Sequence, residues 1–110
     1  MALRATSPPV LASRSVKVGD VVRVTAKVEN TATGDASVTL FAEGTPFPVT
    51  FEPAGVVVPA KSRAAVAFEW RAVLPEGVDA KTVRGKLVLR ATDTGQLAGE
   101  APLDLYVSRT

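Results

Sequence analysis

From Val21 to Glu29 apolar and polar residues alternate, with Val22, Val24, Ala26 and Val28 on one side and Arg23, Thr25, Lys27 and Glu29 on the other. A period of two carried by β-branched residues predicts a strand with one face buried. The same period recurs at Ala64, Val66, Phe68 and Trp70, set against Ala65, Ala67, Glu69 and Arg71. Ala36–Ala42 places Val38 and Leu40 inward, Val83–Ala91 places Val83, Leu87, Leu89 and Ala91 inward, and Leu97–Val107 buries its odd-numbered residues. Short strands are expected near Val49 and Phe51 and at Val56–Val58. Val18-Gly19-Asp20, Asn30 to Asp35, Gly44 to Pro48, Pro53-Ala54-Gly55 and Pro75-Glu76-Gly77 separate these runs with turn residues. No segment carries a helical period. Many short strands divided by turn signals predict an all-β sandwich or barrel, and the fold expected is a seven-stranded immunoglobulin-like antiparallel β-sandwich. Val24, Val28, Val66, Phe68, Trp70, Leu87, Leu89, Leu103 and Leu105 are its expected core.

The last hairpin carries a sharper expectation. A two-residue Thr94-Gly95 loop would set apolar Leu89 across from charged Glu100. A three-residue loop, Asp93-Thr94-Gly95, puts Leu89 opposite Gly99, Leu87 opposite Ala101 and Arg84 opposite Asp104. Gly95 then takes the left-handed position of a type I turn with a bulge.

Residues 1–15 read differently, as an extended N-terminal arm ahead of a sandwich domain spanning 16–110. Ser7-Pro8-Pro9 enforces an extended backbone, and Val10 to Val16 has the makings of a short edge strand. Leu3, Val10 and Leu11 are too sparse to offset about 1–2 kcal/mol of backbone ordering per residue. The expectation is that Met1 to Pro9 lies on another chain, with Leu3, Pro8, Pro9, Val10 and Leu11 as partner-binding residues.

Two stretches carry a family resemblance. Val18-Gly19-Asp20-Val21-Val22 leads into Val24-Thr25-Ala26-Lys27-Val28-Glu29-Asn30, and Val57-Val58-Pro59-Ala60-Lys61-Ser62 leads into Ala65-Val66-Ala67-Phe68-Glu69-Trp70. This resembles the cell-adhesion-related bacterial domain and its immunoglobulin-like and fibronectin-III-like relatives. The match runs from about Val16 to Arg71, with Ala60 where the second turn usually has Gly. The resemblance implies a sandwich fold and a role in building or adhesion; the family is not catalytic and contributes no site residues.

Composition narrows the chemistry. The 110 residues fit one domain, and 46% are hydrophobic. There is no Cys and no His, so disulfide and thiolate chemistry, the commonest general base and the commonest zinc ligand are all missing. A Ser–Lys pair at Lys61-Ser62 falls at a turn, where both side chains are normally solvated. Asp20, Asp35, Glu76, Asp79 and Asp93 sit in turns without an apolar context to raise their pKa values, which argues against acid–base work. Calcium at Asp20 and Asp35 lacks the dense acidic run of a dedicated loop. Gly44, Gly55 and Gly85 are isolated, so no phosphate cradle is expected. No catalytic residue, cofactor or metal is therefore expected.

Thirteen basic against eleven acidic residues leave a net charge of +2. Arg84, Lys86 and Arg90 form a basic row on one strand. Glu100 and Asp104 on the next strand offer cross-strand partners, so nucleic acid is not the expected ligand. No apolar run approaches the ~20 residues of a membrane span, and MALRATSPPV does not read as a signal peptide. The scarcity of Asn, Gln and Met fits heat adaptation and GC-rich codon usage alike. The expected function is a non-catalytic structural or interaction protein whose partner is another protein or copies of itself. The first version is an assembly or decoration component of a large surface lattice such as a phage capsid or tail, located on a virion or cell surface. The alternative is a secreted adhesion or carbohydrate-associated module from a longer protein.

Overall fold

A computed structural model of the chain describes residues 3–110. Eight strands run β1 (Leu3–Leu11), β2 (Ser15–Lys17), β3 (Val21–Asn30), β4 (Ala36–Glu43), β5 (Val56–Val58), β6 (Ser62–Arg71), β7 (Ala80–Ala91) and β8 (Leu97–Ser108). They form a three-stranded sheet, β1-β3-β6, packed on a five-stranded sheet, β2-β8-β7-β4-β5. The fold is an all-β, sandwich-like arrangement of two sheets. All nine residues expected in the core are buried between them.

The alternation works as the period-two argument requires. β3 and β6 pair in unbroken antiparallel register from Val21↔Arg71 to Asn30↔Ser62. Their inward residues, including Val24, Val28, Val66 and Phe68, are almost wholly buried. Trp70 is buried too, and its ring lies 6.4 Å from that of Phe47 in the segment that closes one side of the core.

The β7–β8 hairpin has the expected pairs Leu89↔Gly99, Leu87↔Ala101 and Arg84↔Asp104, and Gly95 has φ of 74°. One detail differs. The ladder shifts between Leu89 and Arg90, so Leu97 pairs with Arg90 and Ala98 is left over. The extra residue reverses the parity at the start of β8: Ala98 is buried and Leu97 is 44% exposed. A bulge adds one residue without advancing the ladder, so everything before it changes face.

The strand count and the arm need correction. The N-terminal segment supplies two strands, while the strand expected near Val49 and Phe51 is reduced to isolated bridges at Thr50 and Glu52, so the described residues form eight strands rather than seven. From Leu3 to Leu11 it pairs antiparallel with β3; Ser15–Lys17 then pairs with β8, in parallel. The sandwich is therefore not wholly antiparallel. The described part of the arm pairs with its own domain, where Met1 to Pro9 had been expected on another chain; Met1 and Ala2 fall outside the described residues. Leu3 is 3% exposed and belongs to the core. The arm's own apolar residues are not all that offsets its loss of backbone entropy. The free edge of β3 adds a ladder of backbone hydrogen bonds and a preformed apolar face. Pro8 and Pro9 are tolerated because β1 is an edge strand, and the register slips on either side of Ser7 accommodate them.

β1 also crosses close over β8. A Cβ built on Gly99 would sit 2.6 Å from the Cβ of Ala5. Gly99→Ala is expected to cost about 1–3 kcal/mol by overpacking. Ala5→Gly in the same chain should recover most of that loss, because it vacates the same space. Urea unfolding of the two single variants and the double variant measures the coupling; additive losses would show that the two residues do not meet.

Candidate interaction surfaces

The expected partner-binding residues are divided by the pleat of β1. Leu3 and Pro9 are buried and Leu11 is half-buried against the core, whereas Pro8 and Val10 are exposed. Pro9, Val10 and Leu11 come together with Arg14, Ala101, Pro102 and Asp104 along a shallow groove of about 390 Å³ between β1 and β8. Leu3 is not part of it, since its burial in the domain's own core leaves no surface to offer.

The outer face of the five-stranded sheet carries the basic row. Arg84 Nε lies 3.7 Å from Asp104 Oδ1, Lys86 Nζ 3.9 Å from Glu100 Oε2, and Arg90 Nη2 3.5 Å from Glu43 Oε2. Each cation of the row thus has a carboxylate partner, two of them the expected cross-strand acids. These pairs are exposed and contribute little to stability, but they neutralise the row. Val88, on this same outer face, is 1% exposed, in line with Phe41 on β4 and Glu100 on β8.

The outer face of the three-stranded sheet is unbalanced. Arg63 Nε donates to Glu29 Oε2 at 2.8 Å, and Arg4 Nη2 approaches Glu29 Oε1 at 4.0 Å, so two guanidiniums share one carboxylate. Arg71 donates to the carbonyl of Gly19. Arg23 and Lys27 form no ion pair among the described residues. Five cations on this face stand against Glu29, Glu69 and Glu52, the last bridged to Glu69. Between them the floor is small: Val10, Thr25 and Ala67 lie in one row, Ser7, Lys27 and Ala65 in the next.

The edge of β6 is open over half its length. Glu69 exchanges both backbone hydrogen bonds with Glu52, at 2.8 Å each, on the side away from β3. Backbone groups alternate sides along a strand. With no register shift in β6, the N–H and C=O groups of Ala67, Ala65 and Arg63 also point away from β3. None of them has a backbone partner among the described residues. Sequence reasoning missed this edge, because alanine alternation marks a strand without saying which neighbour is absent.

The remaining chemical candidates are turn devices. Asp20 Oδ2 accepts the N–H of Lys17 at 3.0 Å and Asp35 Oδ1 that of Ala60 at 2.9 Å. These two acids flank β3 at opposite ends, about 30 Å apart at the rise of a strand, so they share no ion. Ser62 Oγ donates to the carbonyl of Pro59 at 2.8 Å, and Lys61 holds the left-handed turn position at φ of 50°. Asn30 is the buried polar side chain of the core. Its Nδ2 donates to the carbonyls of Gly34 and Val58, and its Oδ1 accepts the N–H of Ala32, each at 3.0 Å. It ties the end of β3 to β5 of the opposite sheet.

No family model matches the chain, and no curated protein matches it. Among solved structures it is similar to the cupredoxin domain of amoB from Nitrosocaldus yellowstonii. There the identity is 10% and the TM-score 0.60, over 97% of this chain and 87% of that one. It is also similar to the alkylpurine DNA glycosylase AlkC of Pseudomonas fluorescens, solved bound to DNA containing an abasic site analog. The identity is 11% and the TM-score 0.58, over 94% of this chain but only 30% of the glycosylase. At such identities the likeness concerns the fold alone.

Proposed function

We propose that the chain is a non-catalytic, immunoglobulin-like interaction module that binds a protein partner by strand addition. The order β1-β3-β6 parallels strands A, B and E of an immunoglobulin sandwich, and β8-β7-β4 parallels G, F and C. That order supports the finer fold assignment. The likeness to a cupredoxin domain brings no copper site with it: the sequence has no His and no Cys, the ligands such a site is built from.

The observation that carries the interaction reading is the unpaired stretch of β6. Unused backbone donors and acceptors in a flat strand are a template for another chain. The other edges are blunted. β1 has Pro8, Pro9 and register slips, β8 has Pro102 and is partly covered by β2, and β5 has three residues. The lattice-decoration version loses the support it drew from a free arm, because the described arm is a strand of its own domain.

Ala65→Pro is the test. The N–H it removes does not serve the β3 ladder, and proline is accepted on edge strands. The variant is expected to melt within a few degrees of the parent while losing the protein partner that co-purifies with the parent from its native source. In the parent complex the amides of Ala65 and Ala67 should exchange slowly with deuterium. A complex that forms equally well with Ala65→Pro would remove β6 from the interaction.

A further inference from the structure

We infer that the open β6 edge selects an extended segment in which acidic residues alternate with apolar ones; this rests on strand addition at that edge. A strand added beside Arg63, Ala65 and Ala67 divides its side chains between two environments. One set lies on the outer face of the three-stranded sheet. The other points inward with Ala64 and Val66, toward the side of the sandwich where β5 packs near β6.

The outer set meets unbalanced positive charge. Arg63 is on β6 itself and shares Glu29 with Arg4. Lys27 is one strand further in, opposite Ala65, and has no ion pair among the described residues. Two strand spacings put the added backbone about 9.5 Å from that of β3. Alanine at 65 and 67 leaves no side chain to block the path between Lys27 and a carboxylate on the added strand. Larger residues there would screen the contact; basic residues on the incoming strand would be repelled. The inner set lies beside Ala64, Val66 and Val56, all on the core side, and apolar side chains cover that seam without leaving polar atoms unpaired.

A second copy of the chain fits the edge poorly. Pairing β6 with β6 would build one continuous six-stranded sheet and join two faces that each carry five cations and three acids. Charge complementarity therefore favours a foreign acidic strand over self-association.

Three synthetic peptides of about eight residues, alternating Val–Glu, Val–Thr and Val–Lys, give the test on the intact chain. Val–Glu is expected to slow deuterium exchange at the amides of Ala65 and Ala67. It should bind at least tenfold more tightly than Val–Lys, with a preference that shrinks as salt rises. In Lys27→Glu the preference should fall below about threefold. Equal protection by Val–Thr and Val–Glu would overturn the acidic selection while leaving strand addition in place. Protection of these amides by no peptide would overturn both. A short DNA duplex that outcompetes Val–Glu while leaving the two amides unprotected would reassign the cations to a polyanion. A concentration-dependent dimer, by sedimentation, that protects them without peptide would make the occupant a second copy.

Discussion

Gly85→Ala should leave the chain largely unfolded at room temperature, or destabilise it by about 4 kcal/mol. Gly85 is an inward-facing residue of β7, paired with Leu103 on one side. On the other, β4 ends at Glu43, and the chain turns through Gly44, whose φ is 73°. That turn carries the carbonyl of Glu43 over the inner face of Gly85. A Cβ there would overlap the Glu43 carbonyl oxygen and lie 3.2 Å from its carbon and 3.3 Å from the carbonyl carbon of Gly44. Backbone atoms on a hydrogen-bonded ladder cannot rotate out of the way as a side chain can. The whole exit of β4 has to move, and overpacking against backbone exceeds the usual cost of about 1–3 kcal/mol. Gly34→Ala, where a Cβ meets nothing within 4 Å and φ is not positive, is the matched control and should change stability by less than about 1 kcal/mol. Thermal melts of the two variants decide the matter; equal melting temperatures would show that the β4 exit yields easily.

Asn30→Asp is expected to cost about 3–5 kcal/mol at neutral pH. The Asn30 amide is 1% exposed and donates two hydrogen bonds, to the carbonyls of Gly34 and Val58. A carboxylate has no hydrogen to donate, so both carbonyls would face negative charge in a buried site. An uncompensated buried charge costs several kcal/mol, well beyond the loss of neutral hydrogen bonds. Burial would raise the folded-state pKa of the introduced acid above its unfolded value. The penalty is therefore full at neutral pH and shrinks as pH falls through the folded pKa toward about 4. Asn30→Ala removes the donors without adding charge and should cost about 2–3 kcal/mol, with no such recovery. Urea unfolding at pH 7 and pH 4 separates the two; an Asn30→Asp deficit independent of pH would show that the site admits water.

Both residues stood in the sequence with little to distinguish them. Asn30 closes an alternating run, and its place there reads as the first residue of a turn. It is that, through its bond to Ala32, but the bond to Val58 joins segments 28 residues apart. Gly85 is an isolated glycine in an otherwise ordinary strand pattern. Such a glycine signals a close approach by another backbone, yet nothing in the flanking residues says that the approaching atoms belong to Glu43 and Gly44.

What the sequence determined by itself is what depends on neighbours along the chain. Alternation assigns an inward and an outward face to a strand, because successive side chains point to opposite sides of the pleat. The β7–β8 register followed from one requirement, that apolar Leu89 not face Glu100, together with the turn Gly95 permits. The lack of His and Cys ruled out imidazole and thiolate groups of this chain's own, since no fold can supply a side chain the chain lacks. Tertiary structure alone decided where unlike segments meet. The weakly apolar arm found the free edge of β3, so residues that look unanchored in isolation became β1. Ala98 replaced Leu97 in the core because a bulge, and not the alternation, sets the face at the start of β8. The open stretch of β6 exists because Glu52 reaches Glu69 and no described segment pairs with Ala67 and Ala65. An edge is defined by the absence of a neighbour, and that absence is a property of the assembled sheet, with no local pattern to announce it.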